Sequence, residues 1–437
     1  MNTSYEALAR TTLLLNREFF SGDADERTIA DALLATTVRM AADEANVTSR
    51  AGQTALVTGF LLTARLGIGI ELDAPNVPVI DRAAPLREPL LVDALVEIGS
   101  DLVPGARVRT TAGDVDESFV FGRAASEGEG SGVHVAATDF TAELARDARG
   151  SVSEGDLPLG GFAAGAAIAA VALEAAMQRI EKATGLRVRR PRPSAGPPAM
   201  IDLRDLFPEI EKGLVGDIGK VSVISGGAIT HALVFCLLRI PGLRAELRII
   251  EEQTADLSNV NRYALLRVSD DGRAKVEQLE GAASPDLRIT GIPMLFTKET
   301  RDKLVPLAVR VVVGVDEVEA RWWVQEENPV WLAVGATGNH LAQLTIHGPD
   351  GPCAGCAHPT PLEPQTIPTI SFVSFWAGLL QACALISRAS STGRNVVVYP
   401  FAFGGRAPVA TFALVPNTGC PIGCPASKRP DQGKGDS

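Results

Sequence analysis

Apolar and charged residues alternate at helical spacing over residues 1 to about 45, and Gly22, Asp23 and Asp25 divide that pattern into two predicted helices. From Gly52 to Leu72 a small-residue start leads into an apolar helix, TALVTGFLLTARLG, and then a strand, IGIEL. Leu157 to Met177 is almost continuously apolar. It is long enough to raise a membrane-spanning helix, which needs ~20 apolar residues. Because it is rich in Ala and Gly and contains Pro158 and Glu174, it is expected instead as a helix wedged between two halves of the protein. The stretch RVRRPRPSAGPPA, Arg187 to Ala199, has prolines too dense for a helix and reads as a solvated spacer.

Beyond the spacer the pattern changes character. A β-branched run (Val221, Val223, Ile224) meets Gly226 and Gly227 and passes into ALVFCLLRI, which predicts the strand, tight turn and helix of a nucleotide-binding βαβ unit. A second strand, Leu247 to Ile250, ends in Glu251 and Glu252. Asn259, Arg262 and Lys275 follow. An acid at the end of the second strand suits a ribose, and an Arg and a Lys close behind suit a triphosphate.

Three landmarks occur twice. VHVAATDFTAELAR can be set against VRVVVGVDEVEARWW, which brings Asp139 and Arg146 opposite Asp316 and Arg321, and GGFAAGAAIAAVALEAAM can be set against SFVSFWAGLLQACALIS. That order suggests a duplication in which the first copy has drifted. The first copy lacks a counterpart of the Asn, Arg and Lys set, so it is expected to be an inactive half. The expected organisation is an inactive Rossmann-like half with N-terminal helices (1–186), the spacer (187–199), an active half (200–427) and a tail (428–437).

Composition narrows the chemistry. The chain's 437 residues exceed the ~250–300 over which one core usually grows, and 46% apolar residues suffice for two cores. A net charge of −11 argues against a nucleic-acid scaffold and suits a basic peptide or protein tail. The start MNTSYEALARTTLLL has no basic n-region and is interrupted by Arg10, with Arg17 close behind, so a cytoplasmic protein is expected.

Of six cysteines, Cys353 and Cys356 form CxxC, and Cys420 and Cys424 form CxxxC. Two short-spaced pairs in Gly- and Pro-containing turns offer four thiolates to a tetrahedral zinc. Such a site has no open position and is structural, contributing on the order of 10 kcal/mol to folding. His358 is at most a spare ligand. Cys236 and Cys383 lie in apolar helical runs and are read as packing residues.

The stretch EEQTADLSNVNRY, then DDGRAK, resembles the ThiF and MoeB type of ATP-dependent adenylyltransferase, where an acid, SNLNRQ and a Lys recur at this spacing. The likeness extends from Gly219 to Cys424. It implies an α/β protein of two Rossmann-like doubly wound domains. It also implies ATP held by Ser225, Gly226, Gly227, Glu251, Asn259, Arg262 and Lys275, with catalysis by Arg262, Lys275 and Asp316. Asp316 would hold Mg²⁺, and a helix Arg near the amino terminus, Arg10 or Arg17, would reach the nucleotide. The implied reaction joins AMP to the terminal carboxylate of a ubiquitin-like protein or peptide. Superfamily members also pair such halves across dimers, so a homodimer stays open.

The chain departs from the family pattern at two places. Ala228 and Thr230 stand where relatives place glycines, and their Cβ atoms are expected to narrow the space for phosphate. Glu251 replaces the usual Asp. The loop AHPTPLEPQTIPT after the first cysteine pair carries no cysteine, so no thioester is expected. Two readings remain: adenylation, and a catalytically impaired relative that serves as a binding module in a modification assembly. A nicotinamide-dependent dehydrogenase fits poorly, since GxGxxG is absent.

Overall fold

The structure is a computed structural model that describes residues 3–20, 22–122, 132–146, 152–188, 199–338, 340–361, 368–391, 393–402 and 409–428. Helices α1 (Thr3–Phe19) and α2 (Glu26–Ala35) form on either side of the predicted break. Asp25 caps α2 by accepting the Thr28 N–H at 3.0 Å. The helical pattern stops earlier than the sequence suggests, because Thr37–Ala42 is strand β1. Val38 and Met40 point inward while Thr37 and Arg39 are half-buried, a two-residue period too short to stand out beside two helices.

β1 is central to a seven-stranded sheet with β2 (Gly69–Asp73), β3 (Val108–Arg109), β4 (Glu117–Phe121), β5 (Val133–Ala137), β6 (Thr141–Ala145) and β7 (Ala199–Asp202). The order is β3-β2-β1-β4-β5-β6-β7, parallel through β5 and antiparallel after it. Helix α3 (Arg50–Ala64) follows β1, and α4 (Leu159–Thr184) lies between β6 and β7. Most of the Arg- and Pro-rich spacer lies outside the described residues, and the strand that follows it, β7, pairs with the first sheet.

The second sheet repeats this plan. It contains β8 (Asp217–Ile224), β9 (Arg244–Ile250), β10 (Leu287–Ile292), β11 (Arg310–Val313), β12 (Trp331–Thr337), β13 (Ala342–His347), β14 (Arg394–Val398) and β15 (Val409–Ala413). Its order is β10-β9-β8-β11-β12-β13-β14-β15. The strands are again parallel through the fifth, β12, and antiparallel after it. Helix α5 (Ala228–Leu237) follows β8, α6 (Lys275–Glu280) precedes β10, α7 (Val318–Glu326) follows β11, and α8 (Ser371–Ile386) lies between β13 and β14.

Both sheets are Rossmann-like, and the duplication is visible in their order. Its finer register differs from the sequence alignment. By position in the sheets β4 corresponds to β11 and β5 to β12, whereas the aligned motifs set β5 against β11. Asp139 therefore sits in the β5–β6 turn, accepting the Leu157 N–H at 2.8 Å, and is not the counterpart of Asp316. An acid followed by an arginine recurs on neighbouring strands, and that coincidence shifted the alignment by one strand. The helix landmark is matched correctly, because α4 and α8 hold equivalent places.

The two halves meet through helices. Phe162 on α4 packs against Phe235 on α5 and Phe375 on α8, with ring centroids 5.9 and 6.1 Å apart. A Cβ at Gly165 would lie 2.7 Å from the Gly59 nitrogen, and one at Gly378 would lie 2.6 Å from the Leu233 nitrogen. Glycine thus lets α4 approach α3, and α8 approach α5, almost backbone to backbone. Helix α4 has the length and apolarity of a membrane span, but 89% of its most apolar window is buried inside the protein.

Candidate functional site

Five parallel strands leave their carboxyl ends along one edge of the second sheet, where ligands collect in such folds. A cleft of about 300 Å³ opens there. Its wall is built from the residues that follow each strand: Ser225 and Gly227 after β8, Glu251 and Gln253 after β9, Leu295 to Thr297 after β10, and Gly314 to Glu317 after β11. Arg262, Tyr263 and Lys275 close one side. Of the residues singled out from sequence, Ser225, Gly227, Glu251, Arg262, Lys275 and Asp316 all line this space.

The turn after β8 is braced from within. Ser225 has φ +117°, a strained value for a residue with a Cβ. Its hydroxyl accepts the Gly227 N–H at 2.9 Å, and its carbonyl accepts the Thr230 hydroxyl at 2.8 Å. Thr230 is buried behind the turn, so of the two departures from the glycine pattern only Ala228 borders the cleft. The first-turn N–H groups of α5 have no partner within the helix, which gives this end of the cleft its affinity for anions.

Glu251 is buried, and its two carboxylate oxygens accept the N–H groups of Gly226 at 3.0 Å and Gln253 at 2.9 Å. The acid at the end of the second strand therefore also pins the glycine turn. Each carboxylate oxygen retains a further lone pair, which is what a ribose hydroxyl would use.

Asn259 lies behind the cleft. It forms a reciprocal cap with Asp256, donating from Nδ2 to Oδ1 at 3.1 Å, and so shapes the turn that presents Arg262. The Arg262 guanidinium donates to the Ser258 carbonyl and to Asn261 Oδ1, the latter at 2.9 Å. Burial holds its pKa below the ordinary arginine value; Tyr263 opposes this, the field of Arg10 adds to it, and Asp256 and Asp316 oppose it. Arg10 on α1 is thus an electrostatic neighbour of the cleft, whereas Arg17 is exposed at the end of that helix. Lys275 is buried, and its Nζ donates to Gln253 Oε1 at 2.7 Å.

Tyr263 escaped the sequence reading. The Tyr263 ring lies 5.3 Å from the Arg262 guanidinium and 5.5 Å from Lys275 Nζ, and its other neighbour is the His231 ring at 4.6 Å. Both cations lie within reach of the Tyr263 ring, whose electron-rich face attracts them. A signal was present: Tyr263 occupies the place of the Gln that ends the related motif SNLNRQ.

Asp316 is exposed at the cleft mouth, where one carboxylate beside phosphate oxygens is the usual donor set for Mg²⁺. Its turn is held by Arg321, which donates to the Val315 carbonyl at 3.2 and 2.8 Å. Burial lowers the Arg321 pKa to about 10.

On the far side of α7 the Sγ atoms of Cys353, Cys356, Cys420 and Cys424 all lie within 4.8 Å of one another. Three of the separations are 3.4, 3.6 and 3.9 Å. A tetrahedral zinc with 2.3 Å bonds needs about 3.8 Å between sulfurs, so the donor set fits this ion. A Cβ at Gly355 would stand 3.1 Å from Cys420 Sγ, which explains the glycine inside CxxC. Cys236 and Cys383 are fully buried; burial raises both thiol pKa values, that of Cys383 to about 12.

Residues 233–408 match the model of the ThiF family. Among curated proteins, an uncharacterized protein of Sinorhizobium fredii, y4jF, is 28% identical over 31% of this chain and 26% of its own length. The NEDD8-activating enzyme E1 catalytic subunit of Dictyostelium discoideum is 33% identical over 31% of this chain and 30% of its own. The chain thus spans less than a third of either relative. Among solved structures, Escherichia coli MccB with a MccA-derived ligand aligns at 16% identity and a TM-score of 0.38, covering 48% of this chain and 67% of that one. A structure named PaaA aligns at 14% identity and a TM-score of 0.35, covering 45% of this chain and 73% of that one. Residues 233–408 thus match the ThiF family, and this likeness, with that to the NEDD8-activating subunit, supports the ThiF/MoeB-like adenylyltransferase superfamily.

Proposed function

We propose that the second half adenylates a carboxylate with ATP, and that the substrate is the carboxyl terminus of a small ubiquitin-like protein or peptide. The observation that carries this reading is the convergence of Arg262, Lys275 and Asp316 on one cleft at the carboxyl ends of parallel strands. The ThiF-family match over residues 233–408 supports the reaction class, and the net charge of −11 suits a basic substrate tail. ATP would bind with its phosphates between the start of α5 and the two cations, and Asp316 would hold Mg²⁺. The substrate carboxylate is itself the nucleophile: its oxygen would bond the α-phosphorus of ATP as the bond from that phosphorus to the bridging oxygen breaks and pyrophosphate leaves. Chain residues then have three tasks: the cations neutralise charge growing on the phosphates, Glu251 orients the ribose, and the walls exclude water. The acyl group would pass to an acceptor without a thioester on this chain, since Cys236 and Cys383 are buried with raised pKa values. We place the protein in a reducing, cytoplasmic compartment, in keeping with four thiols clustered for a metal.

The test is calorimetry with Mg·ATP, followed by pyrophosphate exchange against basic peptides with free carboxyl termini. Asp316→Asn and Arg262→Ala should each lower exchange by about 10²–10³-fold, or ~3–4 kcal/mol of transition-state stabilisation, without unfolding the protein. One feature favours the alternative, a binding module that has lost turnover: both Glu251 oxygens are already engaged by backbone. Wild-type protein that binds a peptide but no ATP would select that alternative.

A further inference from the structure

The segment that presents Arg262 and Tyr263 is held in place by the other half of the chain. Arg65, at the carboxyl end of α3, is fully buried, and its guanidinium points across the interface. Nη1 donates to the Val260 carbonyl at 2.6 Å, and Nη2 donates to the carbonyls of Ala264 at 3.0 Å and Leu266 at 2.8 Å. The three acceptors bracket Arg262 and Tyr263. Among the described residues no carboxylate is bonded to the Arg65 head; the fields of Asp270 and Asp101 compensate its charge, against that of Arg267. A buried cation of this kind depends on carbonyl dipoles in place of water, so the acceptors must stay where the planar fork can reach them. The constraint is reciprocal. A segment whose carbonyls are fixed at 260, 264 and 266 has little freedom in how it aims the side chains between them.

We propose that Arg65 is a positioning residue for the cleft: by clamping the carbonyls of Val260, Ala264 and Leu266, the first half of the chain fixes the direction in which Arg262 and Tyr263 face the nucleotide phosphates. The first half then has a task in the reaction without a complete cation set of its own. Arg65 acts entirely through residues it does not share a strand or helix with. Arg267 adds a second tie from the same segment, donating from Nη1 to Glu97 at 2.7 Å, but it lies beyond the pair that faces the cleft. The nucleotide part of this inference rests on the adenylation reading, whereas the ordering of residues 260–266 does not.

The test uses the full-length, zinc-loaded protein with Arg65→Met, Arg65→Lys, Arg262→Ala and the Arg65→Met/Arg262→Ala double variant. Amide hydrogen exchange over residues 260–266 should quicken at least about tenfold in Arg65→Met, while β8, β9 and the cysteine cluster keep wild-type protection. Mg·ATP affinity, by calorimetry, should fall about tenfold in Arg65→Met and fall clearly less when that change is added to Arg262→Ala, because most of the clamp's effect passes through the Arg262 guanidinium. Unchanged exchange at 260–266 would overturn the proposal, and so would an affinity loss as large in the Arg262→Ala background as in wild type. Wild-type protein that binds no ATP would remove the adenylation reading and leave exchange to decide this one. If Arg65→Met does not fold, Arg65→Lys keeps the charge but cannot span three carbonyls. Faster exchange confined to 260–266 in that variant supports the clamp, and wild-type exchange rejects it.

Discussion

At Gly226 the backbone passes so close to the second strand that a Cβ there would lie 2.8 Å from Glu251 Cγ. The turn and the acid are therefore one unit, since Gly226 also donates to the carboxylate it touches. Gly226→Ala should cost about 1–3 kcal/mol of stability by forcing the two apart, and it should weaken nucleotide binding with it, read as a lower urea midpoint at unchanged slope. At this scale the sequence was legible where a residue type is demanded at a fixed spacing, as for Arg262 and Lys275, which the fold brings to one cleft, whereas Asn259, matched by the same spacing, lies behind it as a cap. It was not legible where a side chain serves a contact distant in sequence. Arg65 reaches carbonyls 195 to 201 residues away, and no local pattern in α3 marks it. Thr230 was misread for a related reason: a family glycine position was known, but not that this hydroxyl turns back onto the Ser225 carbonyl.

Helix α7 connects the cysteine cluster to the cleft. At its start Arg321 holds the turn that carries Asp316, and its Nη1 lies 3.3 Å from Nδ1 of His358, just past the first cysteine pair. Trp322 Nε1 donates to the His358 carbonyl at 2.9 Å, and the Ala354 N–H donates to Gln325 Oε1 at 3.1 Å. Metal loss should thus reach Asp316 through one helix. Purified protein is expected to carry one zinc per chain. Chelation should speed amide exchange over residues 314–326 before it affects the first sheet, and should expose four thiols to titration while Cys236 and Cys383 stay protected until the protein unfolds. A disulfide within either pair, or well under one equivalent of zinc, would reject the site. The cysteine spacing predicted the four-cysteine cluster; its coupling to α7 depends on packing and could be found only in the fold. Strand β1 shows the same limit, for six residues of alternation cannot announce that they are the middle of a sheet.

For the whole molecule, burial of neutral histidines sets an acid limit. Burial lowers the His347 pKa to about 4, and burial, with the fields of Arg65 and Lys275, takes His231 well below its ordinary value. Between pH 6.5 and about 4 the unfolded chain therefore binds protons that the folded protein refuses. Stability is fully present above the unfolded pKa and falls as pH drops, by about 1.4 kcal/mol per pH unit for each such histidine. Urea midpoints measured from pH 8 to 5 should fall on the acid side, and His347→Gln should show a shallower decline.

The repeat of one sheet order in both halves was legible as a duplication, though a chance match of Asp and Arg displaced its register. Joining the halves in one chain has a kinetic consequence. Two separate subunits would part on dilution and leave Arg262 without its clamp. A tethered pair meets at an effective concentration in the millimolar range that is independent of how much protein is present. The cleft should accordingly stay assembled at nanomolar protein, and specific activity should not change with dilution.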